Sequence, residues 1–166
     1  ERALVQLISL RPNDTDARLH LIEILTGASR YADAAAHLRW LVKSDPKNPA
    51  YAVNLAVCLS LSGTKQEKEE ALDILGTACA QEPPFLHAFL TRAKLLETKG
   101  SNRLAFTSLH RVRETFWGDP DFLLTYMSIG HVSNNEAEAH EAFVQLEKLR
   151  NEGVVGPEKM RAVSLD

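Results

Sequence analysis

The sequence predicts an all-α fold, a solenoid built from antiparallel helix hairpins. The main observation behind this prediction is an internal repeat of about 34 residues, a period typical of arrays in which each unit is one supersecondary element. Alanines recur at intervals of 37, 34 and 34 residues, at Ala34, Ala71, Ala105 and Ala139. Four residues after each of them stands a large apolar residue: Leu38, Leu75, Leu109 and Phe143. The register therefore holds through four successive units.

The second observation is that each period reads as two helices, because its apolar residues recur at helical spacing between start and stop signals. The first pair is predicted over about 15–27 and 30–44. Asn13 to Thr15 offer caps for its first helix, and Gly27 lies near the end of that helix. This arrangement predicts a helical hairpin.

The second pair carries clearer boundary signals. Asn48 can cap a helix that has Pro49 at its first position and that ends before Gly63. Thr64 and Glu67 then have the spacing of a capping box for the next helix. The single interval of 37 residues falls here, and three extra residues are nearly one helical turn, so we expect them to lengthen the outer helix of this pair.

The third and fourth pairs follow the same plan. We expect helices over about 84–99, 102–116, 120–132 and 136–151. Asp119 and Pro120 open the fourth pair, and Ser133 with Glu136 forms a second predicted capping box.

These elements divide the chain into repeats. Residues 1–12 are predicted to be the second helix of a preceding, truncated repeat, because Leu4, Leu7 and Pro12 lie 34 residues before Leu38, Leu41 and Pro46. The four predicted repeats are 13–46, 47–83 (with the insertion), 84–118 and 119–152. The last segment, 153–166, is predicted to be a capping helix that starts near Pro157 or a linker to a further domain. On this interpretation the chain is a segment of a longer protein.

Composition narrows the classes of function. The formal net charge is −3. A protein that binds nucleic acid needs an excess of basic residues to neutralise phosphate groups, so we expect no nucleic-acid partner. No run approaches the roughly 18 apolar residues of a spanning helix, so we expect no membrane insertion. The usual catalytic, cofactor-binding and metal-binding signatures are absent from the sequence, and we therefore predict no enzyme activity, no cofactor and no metal.

The two cysteines, Cys58 and Cys79, are too few for a disulfide framework and lack Cys-x-x-Cys spacing. We predict that both are reduced. We also expect a cytoplasmic location, although the chain begins with Glu1 rather than Met and a leader could have preceded it.

The period and the quoted segments resemble the tetratricopeptide repeat (TPR) family over about residues 1–151. "YADAAAHLRWLVKSDP" and "EEALDILGTACAQEP" are similar to the second-helix half of the family pattern. The first-helix half departs from it, with Arg18 in an aromatic position and Arg92 in a leucine position, and Trp117 replaces the third proline. The resemblance implies a right-handed α-solenoid whose first helices line a concave groove. We predict that Arg92 places its guanidinium at a solvent edge or against an acidic neighbour.

Carrying the family register over gives candidate groove residues for a protein or peptide partner. They are His20, Glu23, Asn54, Val57, Thr91, Lys94, Thr125 and Ser128. Aliphatic residues of the same helices, such as Val53 and Leu90, fit core packing as well as groove exposure. Asn54 favours a ligand-facing role, because an amide inside the apolar stretch "AVNLAV" would need partners if it were buried.

One specialisation of the family, the clamp for the C-terminal carboxylate of chaperones, is disfavoured. Its cationic and amide slots are filled here by Leu19, Glu23, Asn54, His87 and Thr91. Only Asn54 agrees with the clamp, and Glu23 would repel a carboxylate.

Three functions stay open from sequence. The first is a non-catalytic scaffold that binds a peptide or helix of a partner in the groove. The second is a regulatory or targeting segment of a larger enzyme whose catalytic domain lies outside this chain. The third is a self-association module, in which exposed ends of the array stack between chains as a homo-oligomer.

Overall fold

The computed structural model describes residues 1–156, and every regular element in that part of the chain is a helix. The helices are α1 (Arg2–Leu10), α2 (Thr15–Gly27), α3 (Tyr31–Ser44), α4 (Pro49–Ser62), α5 (Lys65–Ala78), α6 (Leu86–Thr98), α7 (Asn102–His110), α8 (Arg113–Phe116), α9 (Pro120–Val132) and α10 (Glu136–Asn151). The fold is an all-α solenoid of helix hairpins, as predicted. The capping helix predicted near Pro157 lies outside the described residues.

The chain divides into two compact units, and the boundary falls inside α6. Unit 1 comprises residues 1–88, and unit 2 begins at Phe89. In unit 1 consecutive helices pack against each other, in the pairs α1–α2, α2–α3, α3–α4 and α4–α5. In unit 2, α9 packs against both α7 and α10.

The core of unit 1 is aliphatic. Its fully buried large residues are Leu21, Leu38, Leu41, Leu59 and Leu75. Small residues such as Ala34, Ala56 and Ala71 have no exposed surface. Small side chains at these positions let neighbouring helices approach closely, which is why the repeating alanines identify the hairpins.

Several helix boundaries of unit 1 confirm their sequence signals. The side chain of Asp14 accepts a hydrogen bond from the Ala17 backbone N–H, and Asn48 caps α4 with Pro49 in its first turn. The predicted capping box is present, with Thr64 and Glu67 each bonded to the backbone of the other. Hydrogen bonds from Thr64 hold the pKa of Glu67 below its usual value.

An arginine of the first hairpin is buried between its helices. Arg18 is 8% exposed, and its guanidinium lies 4.1 Å from the ring centre of Trp40 on α3. Its Nη2 donates to the Pro12 carbonyl at 2.8 Å, and Nη1 lies 3.3 Å from Nδ1 of His37. The planar cation thus stacks on the indole and joins α2 to α3.

The core of unit 2 contains an aromatic cluster beside aliphatic residues such as Leu109 and Leu146. Phe122 and Tyr126 are fully buried, and their ring centres lie 5.6 Å apart. Phe116 packs on Phe122 at 5.9 Å, while Trp117 meets Tyr126 edge-on at 5.7 Å. The Tyr126 hydroxyl also lies 2.6 Å from Nδ1 of His110. These rings join α7, α8 and α9.

Two sequence expectations in unit 2 are wrong. The helix predicted over 102–116 is interrupted after His110, and α8 begins at Arg113. The interruption coincides with the packing of Phe116 and Trp117 against α9. The predicted box at Ser133 and Glu136 does not form, because α10 begins at Glu136 with Asn135 in the N-cap position, and the Glu136 carboxylate lies 3.0 Å from Nδ1 of His131.

Arg92 is half-buried and makes a contact that the sequence did not predict. Its Nη1 donates to the hydroxyl of Ser108 on α7 at 2.6 Å, and its Nε is buried without a hydrogen-bond partner in the described part of the chain. The guanidinium therefore meets a neutral hydroxyl rather than an acidic group. Ser108 is itself buried and donates to the Leu104 carbonyl, so its oxygen is free to accept from Arg92.

The hairpin turns repeat as regularly as the helices. Each contains one residue with positive φ, and these residues are separated by 34, 37 and 34 positions: Ser29 (57°), Gly63 (105°), Gly100 (77°) and Asn134 (61°). This conformation favours glycine, because a side chain there meets its own backbone. Ser29 and Asn134 adopt this conformation although they carry side chains.

Two further expectations concern chemistry and membranes. Neither Cys58 nor Cys79 forms a disulfide, as predicted, and burial raises the pKa of the Cys58 thiol. Among residues 1–156, no helix combines the length and apolar character needed to cross a bilayer.

Candidate functional site

The first helix of each hairpin turns one row of side chains away from the core. On α2 this row consists of Asp16, His20 and Glu23, which are all exposed. Residues three or four apart lie on one side of a helix. Leu21 and Leu25, on the other side of α2, are buried. The α2 row therefore carries two carboxylates, and the exposed Ile24 lies beside it, four residues after His20.

The equivalent row on α4 has a different character. It consists of Asn54, Val57 and Leu61, spaced three and four residues apart. Val57 is 36% exposed and Leu61 is 53% exposed, whereas Leu55 and Leu59 are buried. No residue of α4 is charged. This row offers one amide and two aliphatic side chains to solvent.

The two rows occupy equivalent positions in successive hairpins. His20 and Asn54 are 34 residues apart, as are Glu23 and Val57, and α3 packs against both α2 and α4. A shallow depression brings Leu61 and Ser62 together with residues 29–33, directly after the end of α2. We call the α2 row and the α4 row together the unit 1 face.

Asn54 has its polar atoms available on this face. It is exposed, and its side chain makes no hydrogen bond to any described residue. Glu23 likewise forms no ion pair within residues 1–156. His20 is partly engaged, since its Nδ1 lies 3.0 Å from the Asp16 carbonyl. The unit 1 face thus contains an amide and a carboxylate without protein partners beside exposed aliphatic groups.

Unit 2 presents a more polar set. Lys94 on α6 and Ser128 on α9 are exposed, and Thr91 is half-buried. Thr125 is only 8% exposed, and its hydroxyl donates to the Asp121 carbonyl at 2.9 Å. Thr125 therefore contributes little to the exposed surface of unit 2. Lys94 forms no ion pair with the described part of the chain.

Sequence reasoning did not single out Leu61. The signal was present in the spacing, because Leu61 follows Val57 by four residues and stands 34 positions after Gly27. An apolar residue at helical spacing is ordinarily assigned to the core. Only the structure shows that this leucine remains outside it.

The described residues contain no group of three or more His, Cys, Asp or Glu side chains placed to hold a metal ion.

The sequence matches no family model and no curated protein. Similar folds occur among solved structures. A crystal structure of MamA has a TM-score of 0.74 at 17% identity and covers 92% of this chain and 87% of its own chain. A second MamA structure has a TM-score of 0.70 at 19% identity, with 99% of this chain and 85% of that one covered.

A third similar structure is YrrB, described as a TPR protein with an unusual peptide-binding site. Its TM-score is 0.63 at 14% identity, and the match covers 96% of this chain and 90% of YrrB. At these identities the similarity establishes the fold. The chain has the helical-repeat fold of a TPR protein.

Proposed function

We propose that this protein is a non-catalytic interaction module that binds a peptide or helical segment of a protein partner on the exposed rows of its first helices. The observation that carries this proposal is Asn54, an exposed amide without an internal partner, placed one helical turn from the exposed Val57. A polar group in the middle of an otherwise apolar helix contributes little to folding. Its chemistry suits a ligand.

An asparagine amide both donates and accepts hydrogen bonds, so it can pair with the N–H and C=O groups of a bound backbone. Val57 and Leu61 lie on the same side of α4 and can bury apolar side chains of the partner. Because Val57 and Leu61 are only 36% and 53% exposed, covering one of them is worth roughly 1 kcal/mol, a part of the gain for full burial. Together these groups supply orientation and affinity in the manner of other peptide-recognition surfaces.

The fold supports the same proposal. YrrB, a protein with a similar fold, is described as having a peptide-binding site. In unit 2 the exposed Lys94 and Ser128 offer further polar contacts. The partner we propose is a protein or peptide, rather than nucleic acid or the interior of a bilayer.

The experiment compares the first helices with the outer helices in a pull-down of the natural partner. Asn54→Ala and Lys94→Glu should weaken capture while leaving the melting temperature unchanged. Both residues are exposed and make no internal polar contact, and such substitutions change stability by less than about 0.5 kcal/mol. Arg111→Ala, at an exposed position after α7, is the matched control.

Arg39 provides a second control on the outer side of unit 1, where it pairs with Glu70 at 3.0 Å. The proposal fails if Asn54→Ala and Lys94→Glu bind normally while changes at Arg39 or Arg111 abolish capture. That outcome would place the partner on the second helices.

A further inference from the structure

We infer that the unit 1 face recognises a segment whose apolar side chains are accompanied by lysine or arginine, a basic amphipathic peptide rather than an acidic one. This inference rests on the proposed function and specifies the chemistry of the partner. It follows from two features of the same face: the charge of the α2 row and the apolar character of the α4 row.

The carboxylates of the α2 row differ from those of Glu1, Asp33 and Glu70, which are paired with arginines. Arg30 pairs with Glu1 at 2.6 Å and with Asp33 at 2.7 Å, and Arg39 pairs with Glu70. Asp16 and Glu23 are exposed and form no ion pair within residues 1–156. The α2 row therefore keeps its negative charge available to a ligand.

No cation of either helix offsets that charge. The only Lys or Arg on α2 is Arg18, which is buried and directed to the Pro12 carbonyl and His37. On α4 there is no charged residue at all. An acidic segment lying on these helices would meet Glu23 without a compensating cation, and like charges repel.

The apolar contribution comes from the neighbouring row. Val57 and Leu61 are among the exposed large hydrophobic residues, and they follow Asn54 along one side of α4. A peptide that covers them needs apolar side chains at matching positions. With the carboxylates of α2 on the equivalent row of the preceding hairpin, basic residues beside that apolar set complete the complementarity.

The test uses three synthetic peptides of equal length, each with leucines at positions i, i+3, i+4 and i+7. The remaining positions are filled with lysine, glutamate or glutamine in alternation with alanine. Binding to the full chain is measured by fluorescence anisotropy at low and moderate salt. We expect the leucine–lysine peptide to bind most tightly and the leucine–glutamate peptide least tightly.

Variants of the face then separate the two contributions. Glu23→Gln should weaken the leucine–lysine peptide about two- to fivefold and leave the leucine–glutamine peptide within about twofold, the range of an exposed ion pair. Leu61→Ser should weaken all three peptides by about fivefold or more, because it removes apolar contact area. The matched controls are Asp73→Asn on α5 and Leu10→Ser on α1, two exposed positions outside the face.

The outcomes distinguish the inference from the proposed function. Equal affinity for the lysine and glutamate peptides, with Leu61→Ser still weakening both, overturns the charge preference and leaves the binding face intact. If neither Glu23→Gln nor Leu61→Ser changes the affinity for the leucine–lysine peptide, the inference is overturned. That result also counts against the unit 1 face as the binding site. If none of the three peptides binds, the inference is overturned. The pull-down of the natural partner then decides the proposed function.

Discussion

Unit 1 and unit 2 follow the same repeat and place their hydrophobic residues differently. Among the described residues, unit 1 buries no aromatic side chain, whereas unit 2 buries Phe89, Phe106, Phe122 and Tyr126. The predicted groove positions also differ between the units. Those of unit 1 include the exposed Val57, whereas those of unit 2 are polar, although Val132 on α9 is exposed at the position equivalent to Leu61.

This difference shows that one hairpin plan can enclose either an aliphatic core or a core with an aromatic cluster. A helix pair with small residues at its contact closes over an aliphatic core, and the remaining apolar residues can stay on the surface. In unit 2 the aromatic cluster coincides with the interruption between α7 and α8. The regular spacing thus determines the hairpins, while side-chain size decides what each surface offers.

The largest expected effect tests the aromatic core of unit 2. Phe122→Ala should lower the free energy of unfolding by about 3–5 kcal/mol, because a fully buried ring in contact with Phe116 and Tyr126 is removed. Urea unfolding followed by the fluorescence of Trp117, in a Trp40→Phe background, reports on this unit.

Leu104→Ala, at a half-exposed position of α7, is the control and should cost less than about 0.5 kcal/mol. A loss below about 1 kcal/mol for Phe122→Ala would mean that the aromatic cluster does not stabilise unit 2.

A smaller effect compares the strained turns of the two units. Ser29→Gly should stabilise unit 1 by about 0.5–1 kcal/mol, because glycine removes the cost of a positive φ and that gain exceeds its entropic cost. Asn134→Gly should have less effect, since asparagine tolerates this conformation well. Urea midpoints read by Trp40 and Trp117 check the order, and a destabilised Ser29→Gly variant would refute the assignment of strain.

The smallest expected effect is a dependence of the stability of unit 1 on pH. Burial, with a smaller contribution from Arg18, lowers the pKa of His37, and Asp33 partly opposes this shift. The unfolded chain therefore takes up the proton first, so stability is complete above the ordinary pKa of 6.5 and declines as pH falls below it. Urea unfolding read by Trp40 between pH 7 and 5 measures the decline.

His37→Gln should flatten that profile, because glutamine keeps a polar group near Arg18 without titrating. An unchanged pH profile in this variant would assign the decline to other groups of unit 1.

Much of the fold could be predicted from sequence, since the repeat and the local signals act over short distances. The period located every hairpin, although it did not predict the interruption after His110. Asn48 and Thr64 identified helix starts because their side chains bond to nearby backbone. The failures occurred where the chain offers competing partners. Ser133 and Glu136 have the spacing of a capping box, yet α10 begins one residue after Asn135 and the Glu136 carboxylate contacts His131 instead.

The candidate site was less accessible to such reasoning. Exposure of Val57 and burial of Thr125 depend on how neighbouring helices cover each position, and the apolar spacing of a helix does not encode this. The same limit applies to Arg92, whose partner Ser108 lies on a different helix. Which of the predicted residues contact a partner stays a prediction.

The most direct test of the central claim is methyl NMR of the full chain, labelled at valine and leucine, during titration with the leucine–lysine peptide and with the partner recovered by pull-down. Our account predicts that the methyl signals of Val57 and Leu61 shift on binding. Leu104 and Val144, equally exposed on the second helices of unit 2, should keep their positions. Shifts at Leu104 or Val144 without any at Val57 and Leu61 would contradict the claim that the first helices of unit 1 form the binding face.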